Sequence, residues 1–184
     1  MKITQRSILV SLLGLSLAAS AATLLKADPA KSSVSAVVKQ MNVPVESKFT
    51  KFTVAIDYDA TKPDAAKASV ELDTASLDMG EADYNKEVAK KEWFNSAQFP
   101  KATFVSSSIK AAGPGKLTVT GKLTIKGKSA DVAFPMTVKA DGAKQVFDGA
   151  VPIKRLAFNI GEGEWKATDI VADDVIIKFH VTAQ

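Results

Sequence analysis

The chain has 184 residues, 46% of them hydrophobic, which fits one domain able to bury a core or to wrap one around a cavity. Its 24 basic and 20 acidic residues leave a formal net charge of +4, and the lysines are spread rather than clustered, which argues against nucleic-acid binding. There is no cysteine, so disulfides and a lipid-modified N-terminal cysteine are excluded.

The N-terminus opens with Lys2 and Arg6, continues as a twelve-residue apolar run, Ser7–Ala18, and exits through the small residues Ala19–Ala21. This reads as a secretory signal peptide over residues 1–21, with an apolar run too short for a spanning helix. An uncleaved anchor is the alternative, and the short run and small-residue exit argue against it. Loss of Lys2 and Arg6 lowers the net charge from +4 to +2. Residues 22–184 are then the mature domain, expected in the periplasm. With no cysteine, that domain must be held by packing and backbone pairing.

The mature chain reads mostly as strands. In "SVSAVVKQM", Val34, Ala36 and Val38 share one face at period two. In "KFTKFTVAIDYDA", Phe52, Val54, Ile56 and Tyr58 alternate with Thr53, Ala55 and Asp57. Pro63-Asp64 breaks the chain, and Ala68, Val70 and Leu72 resume the pattern.

The period then changes. "GEADYNKEVAKKEWFN" lacks a β-branched run, with Glu81 and Asp83 near its start and Lys90 and Lys91 near its end. That charge order suits a helix dipole, and the spacing predicts a helix over 81–92. Just beyond it, residues 90–104 hold Trp93, Phe94, Phe99 and Phe104, four of the thirteen aromatics of the chain. Such a cluster either closes a core or lines a place for something apolar.

From Ala102 the strand signal continues to the end. "GPG" at 113–115 marks a turn. Leu117, Val119, Leu123 and Ile125 share a face, and Gly121 in phase with them predicts a bulge or bend. Val132, Phe134, Met136 and Val138 follow, then a turn at Asp141-Gly142, and a last strand with Val175, Ile177 and Phe179 in phase. About eight strands with short connections predict an antiparallel sandwich or barrel, and one inserted helix favours a closed barrel.

Catalytic and metal chemistry find little support. The single histidine, His180, alternates with Phe179 and Val181, as an outward-facing strand residue does. One histidine and no cysteine leave zinc without its usual ligands. "GEGEW" at 161–165 has Lys166 where a dinucleotide loop needs its third glycine. Glu162, Glu164, Asp169, Asp173 and Asp174 lack the alternating order of a calcium loop and read as a solvated loop. A pair of carboxylates for hydrolysis needs only spatial proximity and stays open.

Several segments together resemble one family, the YceI-like proteins. They are "ADPAKSSVSAVVKQMNVPVESKF", "LDTASLDMG", "EWFNSAQFPKATFVSSSI", "LTIKG" at Leu123–Gly127, "IKRLAFNIGEGEW" and "DDVIIKFHV", spread in order over about residues 28–183. The chain departs from the family where Lys31 precedes Ser32, a position often held by histidine, and where Tyr84-Asn85 replaces Arg-Asp on the helix. The resemblance implies an exported, all-β, eight-stranded antiparallel lipocalin-like barrel that binds a polyisoprenoid lipid.

It also implies a function without catalytic residues, resident cofactor or metal: holding an isoprenoid chain, of a polyprenyl lipid or a quinone, inside the barrel. Transient membrane contact and a homodimer are compatible with it. The implied lining is Phe52, Val54, Ile56, Trp93, Phe94, Phe99, Phe104, Leu123, Ile125, Phe134, Met136, Phe158 and Ile177, with plain core as the alternative for each. Arg155 matches a recurrent family position and either meets a head group or pairs with an acidic neighbour, the second being favoured. A periplasmic hydrolase with carboxylates at the mouth, or a packed barrel without ligand, are the competing readings.

Overall fold

The computed structural model describes residues 24–184, so the expected signal peptide lies outside the described residues. Eleven strands form one antiparallel sheet. They are β1 (Leu24–Lys26), β2 (Ser33–Gln40), β3 (Val43–Phe49), β4 (Phe52–Asp57), β5 (Lys67–Asp73), β6 (Leu77–Asp78), β7 (Lys101–Ala111), β8 (Lys116–Ile125), β9 (Lys128–Asp141), β10 (Lys144–Lys154) and β11 (Val171–Ala183). Their order across the sheet is β1-β4-β5-β7-β8-β9-β10-β11-β2-β3-β6.

The sheet curls back on itself. Beyond β1, Ala27 bridges Ala183 at the end of β11, and Lys26 and Gln184 exchange backbone hydrogen bonds at 3.0 and 3.2 Å. The expected all-β antiparallel class is therefore observed, with eleven strands in place of eight. The three additional strands are β1, β3 and β6. β1 and β6 have three and two residues, too few to show a period. β3 was hidden by Pro44 and by the charges Glu46 and Lys48, which demote a strand signal. It forms because Met41 and Asn42, at φ 47° and 66°, make a tight two-residue turn that returns the chain against β2.

The bend predicted at Gly121 is present. The β7–β8 ladder slips between Ser106 and Ser108, opposite Gly121 and Thr120, so Ser107 is the extra residue of a bulge. The inserted helix is α1, Ala82–Val88, shorter than the expected 81–92. After Val88 the chain winds into turns: Phe94 N donates to Val88 O at 3.0 Å and Asn95 N to Lys90 O at 2.8 Å. Burial of Trp93 and Phe94 against the sheet overrides the helix propensity of the lysine- and glutamate-rich tail. Phe94 meets Phe49 of β3 edge-on, with centroids 6.2 Å apart.

Two apolar clusters fill the interior. One centres on Val119, Phe134 and Phe147, the other on Leu123, Ile125 and Phe158 beneath α1.

Candidate ligand cavity

The alternation that builds the strands also hollows the interior. Along β8, Leu117, Val119, Gly121, Leu123 and Ile125 are all buried, while Lys116, Thr118 and Lys122 are exposed. Repeated on neighbouring strands, this phase leaves an apolar lumen divided into two cavities. Cavity 1, about 190 Å³, lies under α1 and the 153–175 segment. Cavity 2, about 90 Å³, lies deeper among β4, β5 and β7–β11. Leu72, Ala102, Leu123 and Ile177 line both and mark their junction.

Ten of the thirteen expected lining residues stand on these walls. Trp93, Phe94 and Ile125 line cavity 1, and Leu123 and Ile177 line both. Val54, Ile56, Phe104, Phe134 and Met136 line cavity 2. Phe52, Phe99 and Phe158 are on neither wall. Phe52 is half-buried between the two clusters, and Phe158 is 2% exposed inside the second. Phe99 lies over Gly127, where the absence of a Cβ makes room for its ring.

Wall residues that sequence reasoning passed over have identifiable signals. Phe179 sits in phase with Ile177, and Val34, Ala36 and Val38 with each other, so period two alone finds them. Val45 and Phe49 were lost with β3. Trp165 ends the "GEGEW" loop, and only the loop's folded position brings it to cavity 1.

The polar groups gather in cavity 1: Gln40, Ser47, Tyr84, Glu87 and Arg155, beside the two indoles. On cavity 2 the single polar wall residue is Thr103. Glu87 is the one carboxylate on either wall, so no pair of carboxylates of the kind glycoside hydrolysis uses faces the cavities. Among the described residues no cluster of three or more histidine or carboxylate groups could hold a metal ion. His180 is exposed on β11, its Nδ1 2.6 Å from Asp148 Oδ1 on β10.

Arg155 corrects the expectation placed on it. It is 2% exposed and, against the favoured pairing with an acidic neighbour, its hydrogen bonds go to no carboxylate. Its Nε donates to Ala172 O, Nη1 to Ile160 O and Gly161 O, and Nη2 to Trp165 O and Val171 O, at 2.7–3.1 Å. These five bonds use every guanidinium N–H. The Asp173 carboxylate instead accepts from Leu156 N at 3.0 Å. Burial lowers the Arg155 pKa, and the charge of Asp173 opposes that shift. The guanidinium thus knits the 160–172 loop to the barrel and lies 5.9 Å from the Trp93 ring centroid.

The departure at Asn85 also has a structural use. Its Oδ1 accepts from Met79 N at 2.7 Å and its Nδ2 donates to Asp78 Oδ1 at 3.1 Å, which ties α1 to β6 over cavity 1.

Comparison with known proteins agrees with this architecture. The YceI-like domain profile matches residues 25–183. A UPF0312 protein of Shewanella sp. (strain ANA-3) is 33% identical over 142 residues, covering 74% of this chain and 72% of that protein. The crystal structure of Burkholderia cenocepacia BcnA superposes with a TM-score of 0.84 at 55% identity, over 86% of this chain and 99% of that one. The fold is shared more distantly with a polyisoprenoid binding domain from Saccharophagus degradans, at a TM-score of 0.71 and 16% identity over 87% of this chain and 97% of that one. The chain belongs to the YceI-like domain family.

Proposed function

We propose that the protein is a periplasmic carrier that holds an isoprenoid lipid, a polyprenyl chain or the tail of an isoprenoid quinone, in its two cavities. The observation that carries this reading is the lumen itself: two adjacent apolar cavities that share four wall residues, with the polar side chains gathered on cavity 1. A long hydrocarbon has nothing to hydrogen-bond, so its affinity must come from apolar area removed from water. Each buried methylene contributes up to about 0.8 kcal/mol, so a few isoprene units offset the roughly 4–15 kcal/mol cost of association. Family membership and the polyisoprenoid binding described for the Saccharophagus degradans domain support the same ligand class. The N-terminal Lys2–Ala21 segment supports export.

Native mass spectrometry on protein taken from the periplasm without detergent, followed by organic extraction, tests the proposal. A stoichiometric isoprenoid is the expected result. A clean apo mass that takes up neither added polyprenol nor quinone would overturn it.

A further inference from the structure

Two glycines stand on the inward face of the barrel wall, where a strand glycine weakens its element by about 0.5–1 kcal/mol relative to alanine. Both are covered by phenylalanine rings. A Cβ on Gly121 would lie 2.5 Å from Phe104 Cζ, and one on Gly149 would lie 2.4 Å from Phe179 Cζ. Phe134 stands between them, with ring centroids 5.6 Å from Phe104 and 5.9 Å from Phe179. Across the five adjacent strands β7 to β11 the inward face therefore reads Phe104, Gly121, Phe134, Gly149, Phe179. The row runs diagonally: Gly121 pairs Val132, two residues from Phe134, and Gly149 pairs both Met136 and Phe179.

All three rings line cavity 2. The glycines let the outer two rings recline into the wall instead of standing in the lumen. The two positions differ in what a side chain there would displace. At 121 the added Cβ would also strike Val105 O at 2.5 Å, a main-chain atom of the bulged strand that cannot yield. At 149 the three nearest atoms all belong to the Phe179 ring, which can swing. The wall lies behind it, so it swings toward cavity 2.

We propose that Gly149 and Phe179 set the length of apolar chain that the protein accepts, by holding cavity 2 open beyond the Leu72, Ala102, Leu123 and Ile177 junction. The inference rests on the isoprenoid-binding reading above. Under it, a short chain is held by cavity 1 alone, and only a longer one needs the space beside Phe179.

The test is a titration of wild type, Gly149→Ala and Phe179→Leu with farnesol, geranylgeraniol and longer all-trans polyprenols, read by the fluorescence of Trp93 and Trp165 in cavity 1. Wild-type affinity should rise with chain length and then level off. Gly149→Ala should keep farnesol affinity and bind the longest polyprenols at least about tenfold more weakly. Phe179→Leu should shift the levelling-off to a longer chain, and it keeps the inference testable should Gly149→Ala fold poorly. A uniform loss at every length, or unchanged length profiles in both variants, would overturn it. Wild type that binds no polyprenol of any length would instead remove the reading beneath it.

Discussion

Arg155 and Trp165 are joined by one hydrogen bond, Nη2 to the Trp165 carbonyl at 2.8 Å, and that bond places the indole on cavity 1. Trp165 then packs on Trp93 with ring centroids 5.5 Å apart. The wall under α1 is thus built by a guanidinium that satisfies backbone carbonyls and contacts no acid.

Replacement of Arg155 should be costly for this reason. Lysine supplies three donors where five carbonyls need one each, and alanine supplies none. Each buried carbonyl left unpaired costs about 1–3 kcal/mol, softened where the loop opens to water. Arg155→Ala is expected to lose on the order of 3–5 kcal/mol in urea unfolding, and Arg155→Lys less. Near-UV circular dichroism from the indole pair should weaken in both. A fully stable Arg155→Ala protein with an unchanged tryptophan spectrum would contradict the assignment.

The indoles themselves carry a different expectation. Nε1 of Trp93 and Nε1 of Trp165 are buried without a hydrogen-bond partner. An unpaired buried donor gains nothing from being present, so Trp165→Phe keeps most of the aromatic packing and removes the unmet N–H. Its stability should lie within about 1 kcal/mol of wild type. A loss above about 2 kcal/mol would show that the N–H is engaged.

Acid should open the seam where the sheet closes. Lys144 Nζ donates to Asp28 Oδ2 at 3.2 Å, and Ala30 N donates to Oδ1 at 3.1 Å. The lysine bond holds the Asp28 carboxyl below its ordinary value, partly offset by burial. Glu46 is held low as well, first by the Ser35 hydroxyl at 2.6 Å. A depressed folded pKa gives stability that is complete above the unfolded value of about 4 and is lost as pH falls through the folded value. Exchange protection of the Lys26 and Gln184 amides, which close the β1–β11 seam, should therefore fall below about pH 4. Asp28→Asn should flatten that fall. An unchanged acid profile in the variant would remove Asp28 from the account.

Much of this was legible from residue order. The strands β2, β4, β5 and β7–β11 announce themselves by period two, and their inward phase names most of the wall, because a barrel has one buried face and register cannot slip without exposing it. What stayed hidden depends on distant contacts. The length of α1 is decided by where Trp93 and Phe94 land, a tertiary fact that lysine and glutamate content cannot report. Phe99 looked like its aromatic neighbours but is claimed by Gly127, far along the chain. An acidic neighbour is the ordinary partner of an arginine, and the backbone carbonyls that Arg155 holds instead carry no sequence signature at all.

The Phe99–Gly127 contact can be measured against a built-in control. Lys126 and Gly127, at φ 48° and 71°, form the tight turn between β8 and β9. A Cβ on Gly127 would meet Phe99 Cε1 at 2.9 Å. Gly142, at φ 59°, turns β9 into β10, also with a positive φ, and has nothing within 4 Å of its added Cβ. Gly142→Ala should therefore cost only the left-handed strain, about 1–2 kcal/mol, while Gly127→Ala should cost that and the displacement of the ring. Repeating Gly127→Ala in a Phe99→Leu background closes a double-mutant cycle that isolates the Phe99 contact. Equal losses would mean that the ring yields freely and that Phe99 is not held by the turn. Because Phe99 and both glycines lie off the cavity walls, ligand affinity should not follow either substitution.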